Sequence, residues 1–82
     1  MRIALLYFAV VADLTGVAEE SLQLPDGVAT IEALASHLCR VHPALAGRMS
    51  SVRFARNEVF VGAEETLSEG DTVALIPPVA GG

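Results

Sequence analysis

Gly81-Gly82, the last pair of the 82-residue sequence, has the residue type and position that promise chemistry. Glycine has no Cβ, so two in a row make a length of chain thin enough to enter a slot that excludes side chains. Behind them, Ile76-Pro77-Pro78-Val79 is stiff and holds the end away from the body of the domain. An α-carboxylate on Gly82 is ionised and inert at neutral pH. To react it must first receive a leaving group, and a mixed anhydride with a nucleotide is the chemistry that fits. Gly82 is therefore the expected reacting residue, and Gly81 the residue that lets the tail thread.

The other reactive side chains do not assemble a site. Cys39 and His42 are three apart, close enough to share a helical face. One cysteine and two histidines with no clustered third ligand do not make a zinc site. A nucleophilic thiolate needs an electropositive setting, and only Arg40 is at hand. Cys39 thus reads as a packing residue, and His42 as a helix-end residue facing the last carbonyls. Gly62 and Gly70 are isolated turn glycines rather than a phosphate loop. Glu64, Glu65, Glu69 and Asp71 crowd together in loops, where acids are ordinarily solvated, and offer at most an acidic rim for a basic partner.

A scaffold must position the tail, and the patterning supplies one. Residues 2–10 read as a strand whose exceptions, Arg2 and Ala4, mark the exposed side and send Ile3, Leu5 and Tyr7 inward. A helical turn over Val11–Leu14 stops at Thr15-Gly16. Residues 19–24 alternate up to the turn signal Pro25-Asp26-Gly27. Thr30 is an N-cap for an amphipathic helix that carries Ile31, Leu34, Ala35, Leu38 and Val41 on one face. That helix ends at His42-Pro43. Three strands follow, over 52–55, 59–61 and 72–76, the last stopped by Pro77-Pro78. The fold class is α+β: a mixed sheet of about five strands with one main helix packed across it. Residues 1–78 form the domain and 79–82 a flexible tail.

Strand parity also gives a surface. With Val59, Val61, Val73 and Leu75 taken as core, Phe60 and Ile76 point out, as do Leu6 and Phe8 in the first strand. Phe8, Phe60 and Ile76 should make an apolar patch beside the strand that launches the tail, suited to a protein partner. A helix or loop is expected to cover Leu6.

Composition excludes several functions. Ten acids against five arginines leave a net charge of −5, so no nucleic acid is expected as partner. The single cysteine rules out an intrachain disulfide and suits a reducing, cytoplasmic setting. The apolar opening run is too short to span a membrane. The chain has no lysine, so it cannot build isopeptide chains on its own side chains.

The pattern Leu67-x-x-Gly70-Asp71-x-Val73, followed by Pro77-Pro78-Val79-x-Gly81-Gly82, resembles the ubiquitin-like sulfur carriers of the MoaD/ThiS type. Leu6-Tyr7-Phe8-Ala9, Leu14-x-Gly16 and Asn57 ahead of the 59–61 strand are similar to the branch that forms the small subunits of molybdopterin synthases. The resemblance implies a β-grasp fold and a sulfur relay. In that relay an E1-like enzyme uses ATP and Mg²⁺ to adenylate Gly82, and a sulfurtransferase converts the adenylate to a thiocarboxylate. The tail then enters the large synthase subunit, in a heterotetramer, to sulfurate a cyclic pyranopterin. Phe8, Phe60, Ile76, Pro77, Pro78 and Val79 would form the partner interface. The chain itself would bind no cofactor and no metal, and would not be an enzyme alone. Carriage of sulfur for thiamin or tRNA thiolation, conjugation to target lysines, and a pure interaction module remain the alternative readings.

Overall fold

A computed structural model of the chain describes residues 1–78. The expected tail residues Val79, Gly81 and Gly82 lie outside the described residues. Among the described residues five strands and two α-helices follow in the order β1 (Arg2–Tyr7), α1 (Val10–Thr15), β2 (Glu19–Gln23), α2 (Ile31–Val41), β3 (Arg53–Arg56), β4 (Val59–Val61) and β5 (Thr72–Ile76). Two short 3₁₀ turns, Pro43–Leu45 and Met49–Ser51, lead from α2 into β3.

The strands form one mixed sheet in the order β2-β1-β5-β3-β4. The first and last strands are therefore neighbours at its centre. They run parallel, with Leu5 opposite Val73 and Tyr7 opposite Leu75, whereas β1–β2, β3–β5 and β3–β4 are antiparallel. One side of this sheet is the core. Ile3, Leu5, Tyr7, Phe54, Val73 and Leu75 from the strands meet Ile31, Leu34 and Leu38 of α2, Val11 of α1, and Leu45. This is a β-grasp, with the sheet closed around α2.

Local chemistry sets the element ends. The Thr30 side chain accepts a hydrogen bond from the Ala33 N–H at 3.2 Å, capping α2. Such a cap is worth about 1 kcal/mol. At the other end of α2, His42 leaves helical geometry ahead of Pro43. Gly16 ends α1 in the left-handed region (φ 83°), which costs glycine nothing sterically, and its N–H reaches the Ala12 carbonyl.

Four expectations need correction. β1 ends at Tyr7 instead of reaching residue 10, because Ala9 turns the chain at φ 50° into α1. β3 lies one residue later than the pattern suggested, at 53–56. Val41 is 41% exposed, since the apolar face of α2 is spent by Leu38 and the chain is already leaving for Pro43. Val59 is 64% exposed despite its inward parity: it lies opposite Arg56 on an edge strand, and the core does not extend over it.

Candidate functional site: the open sheet face and the root of the tail

The core elements all pack on one side of the sheet, so the other side is open, and β5 runs along its middle toward the tail. Across it, Leu6, Ala74, Ala55 and Phe60 are consecutive partners in one row through β1, β5, β3 and β4. In the next row Arg53 lies opposite Ile76, and the Phe8 N–H donates to the Leu75 carbonyl at 3.2 Å, continuing β1 alongside β5. Phe60 is 52% exposed and Phe8 46% exposed. Leu6, Ile76 and Pro77 are half-buried and Pro78 is exposed. The sequence placed Phe8, Phe60 and Ile76 on one surface, and register brings them to one face. Leu6 belongs to that face as well, where a cover had been expected.

Sequence reasoning missed Arg53. Its guanidinium carbon lies 3.9 Å from the centroid of the Phe60 ring, a cation–π stack on the open face. Arg53 and Phe60 are on adjacent antiparallel strands, so the signal was available only once register was known.

Of the acidic cluster, Glu64 and Glu69 are exposed as expected, but Asp71 is no solvated rim residue. Asp71 is only 6% exposed. Its Oδ2 accepts from Arg56 Nε at 2.6 Å and from the Ser68 N–H at 2.7 Å, while Oδ1 accepts from Asn57 Nδ2 at 3.0 Å. Asn57 Oδ1 in turn accepts from the Thr72 N–H, and Arg56 Nη1 donates to Glu65 at 3.0 Å. This network holds the β3–β4 turn, in which Asn57 (φ 50°) and Glu58 (φ 74°) both take positive φ as a tight two-residue hairpin requires. It also fixes the start of β5. Glu69 is likewise engaged, accepting from the Arg2 N–H.

A second missed cluster ties β1, β2 and α2 together. Tyr7 Oη donates to Glu20 Oε2 at 2.6 Å, and His42 Nε2 meets the same oxygen at 2.6 Å. The Tyr7 and His42 rings pack edge to face. His42 therefore reaches across to Glu20 rather than back to the helix carbonyls. Burial and the Glu20 carboxylate both push the Tyr7 phenol well above its ordinary range.

These networks set an acid limit on the fold. Burial raises Asp71 and Glu20, but the hydrogen bonds they accept outweigh it and hold both below the usual carboxylate range. Groups depressed in the folded state stabilise it fully above their unfolded values and lose that contribution as pH falls through the folded ones. Thermal melts should be flat from pH 7 to about 5 and fall steeply below about 4. Asp71→Asn should melt lower at neutral pH with a shallower acid limb; an unaltered limb would assign the effect elsewhere.

Cys39 is partly buried and packs against the core. In the relay that the resemblance implies, Cys39→Ser is expected to leave sulfur transfer intact with at most a small drop in melting temperature. Loss of transfer in a stably folded variant would revive a persulfide route. No helix among the described residues is long and apolar enough to cross a membrane.

A mixed sheet with parallel central end-strands, closed over one helix and opening an apolar face beside its C-terminal strand, defines the ubiquitin-like β-grasp class. SAMP1 from Haloferax volcanii superposes on the chain with a TM-score of 0.87 at 29% identity, covering 100% of each. The chain belongs to the ThiS family, whose model matches residues 5–82. Among curated proteins it is 42% identical over 84 residues to the molybdopterin synthase sulfur carrier subunit of Chlamydomonas reinhardtii, covering 100% of both. It is 32% identical to the human protein of the same name, over 99% of this chain and 94% of that one.

Proposed function

We propose that the chain is the sulfur-carrier subunit of a molybdopterin synthase. The observation that carries this reading is the end-to-end match to carrier subunits of that name, through the residues that lead into the tail. In this reading residues 79–82 are the working tail and Gly82 its reacting end. A Gly82 carboxylate oxygen attacks the α-phosphorus of ATP on an activating enzyme, releasing pyrophosphate. The outer sulfur of a persulfide on a sulfurtransferase then displaces AMP to give an acyl disulfide, and a second thiol attacks the sulfurtransferase sulfur, forming a disulfide with it and releasing the thiocarboxylate. ATP and Mg²⁺ belong to the activating enzyme, and the chain supplies no catalytic group beyond the thiocarboxylate.

Sulfur is softer and more nucleophilic than the oxygen it replaces, so the tail becomes reactive only after loading. The domain contributes position: docking the open face on the large subunit turns attack on the pterin precursor into an intramolecular event. Gly81 keeps the tail thin enough to reach it. The relay, with its need for ATP and persulfide sulfur, operates in the cytoplasm.

A second reading has its own support. A second Haloferax volcanii structure, 28% identical with a TM-score of 0.84, is described as small archaeal modifier protein 1, which favours conjugation of Gly82 to target lysines. Intact-mass spectrometry of the chain isolated from its native host decides between them. A mass gain of sulfur for oxygen supports the carrier, larger covalent species support the modifier, and neither would overturn both.

A further inference from the structure

Beside Phe60 and Ile76 the open face carries a charge, Arg53, that apolar docking does not explain. It is exposed, and it lies beside Phe60 and opposite Ile76. No ion pair among the described residues involves it: the pairs are Arg56 with Glu65 and Asp71, and His42 with Glu20. In a chain with twice as many acids as arginines, no carboxylate of the described residues pairs with its guanidinium, which lies amid Phe60, Ala55, Ala74 and Ile76.

The stack on Phe60 restrains that guanidinium against the ring and leaves its N–H fork free to point outward. A wholly apolar surface closing over the patch would strip water from the charge and return nothing. Whatever covers the patch must therefore accept from the fork. A small mobile anion would satisfy Arg53 but leave the aromatic rings wet. A protein surface does both.

The geometry points to a docking face on the large synthase subunit that places an aspartate or glutamate carboxylate over Arg53, ringed by apolar side chains. The inference rests on the carrier reading above. Arginine suits the task better than lysine, because its planar fork meets a carboxylate through two parallel hydrogen bonds and so fixes orientation as well as proximity. The net charge of −5 repels an acidic partner at long range. Arg53 is thus a local key that selects which part of the partner may sit on the patch.

Calorimetric titration of the full chain against the purified large subunit, at low and high salt, tests this. Arg53→Met keeps the apolar stem and removes the charge; it should bind roughly tenfold more weakly, with a flatter salt dependence. Arg53→Glu should bind about a hundredfold more weakly, since two carboxylates would then face each other. Arg53→Met binding as tightly as the parent overturns the inference, and so does weakened binding with unchanged salt dependence, which would make the acceptor neutral. If Phe60→Ala weakens binding while Arg53→Met does not, the carrier reading stands and the inference alone falls. If the parent chain does not bind the large subunit at all, the reading falls and the inference with it.

Discussion

A chain lacking Gly82 is expected to fold normally and to support no pterin sulfuration. Among the described residues the fully buried core ends at Leu75, and Pro78, the last of them, is exposed. Removing Gly82 is therefore expected to spare that packed interior. In the proposed relay it would remove the reacting carboxyl group from its correct place. The new end at Gly81 would sit one residue short, and a displacement of even about 1 Å at a reacting centre costs on the order of a hundredfold in rate. One residue of extended chain is more than three times that. Adding a residue after Gly82 should fail equally, through a side chain at the narrowest point or an end that overshoots. The measurement is single-turnover sulfur transfer to the precursor with reconstituted synthase, alongside a melting curve. Turnover by the shortened chain at the parental rate would end the proposal that Gly82 is the reacting residue.

Phe60→Ala should loosen the complex with the large subunit by roughly thirtyfold, or about 2 kcal/mol, without lowering the melting temperature. Aromatic residues at the centre of an interface commonly carry that much. Phe60 is 52% exposed in the free chain, so truncating it opens no cavity in the core. It also stands over Ala55 and beside Arg53, so its loss takes away the ring that holds the guanidinium. Titration calorimetry reads the affinity, and circular dichroism the stability. Near-parental affinity in a normally melting variant would mean that the open face is not where the partner docks. Glu65→Ala makes the useful contrast. Glu65 pairs with Arg56 near Asp71 rather than standing ready for a partner, so its effect should fall on stability more than on binding.

Much of this architecture was legible because it follows from short-range rules. The spacing of Ile31, Leu34 and Leu38, with Thr30 before them, is enough to write α2 and its buried face. The alternation of Ile3, Leu5 and Tyr7 is enough to orient β1. Phe8, Phe60 and Ile76 could be placed outward by the same parity. What could not be read depends on which residues face each other across elements. Asp71 looked like one more loop acid until β3 was laid beside β5, bringing Arg56 and Asn57 to it. Glu20 and His42 are 22 residues apart, and only the packing of α2 against β1 and β2 makes them partners. Val59 obeys parity and is still exposed, because parity fixes a direction and not what lies in that direction. The Gly82 chemistry rests on the tail sequence and on family membership, and geometry adds only the path of β5 toward it.

The placement of β5 has a mechanical side. In the proposed relay, a tail drawn into one enzyme after another would be a rope on which those enzymes pull. Here the rope is spliced into the middle of the sheet, hydrogen-bonded to β1 on one side and β3 on the other. Tension applied at Ile76 along β5 would load both ladders in shear, so many bonds would share it instead of opening one after another like a zipper. The side chains of Val73 and Leu75, locked beneath α2, act as pegs against sliding. An edge strand in the same position would peel. By putting the handle on the best-moored strand, the fold lets a partner tug on one end without unravelling the body that steers it.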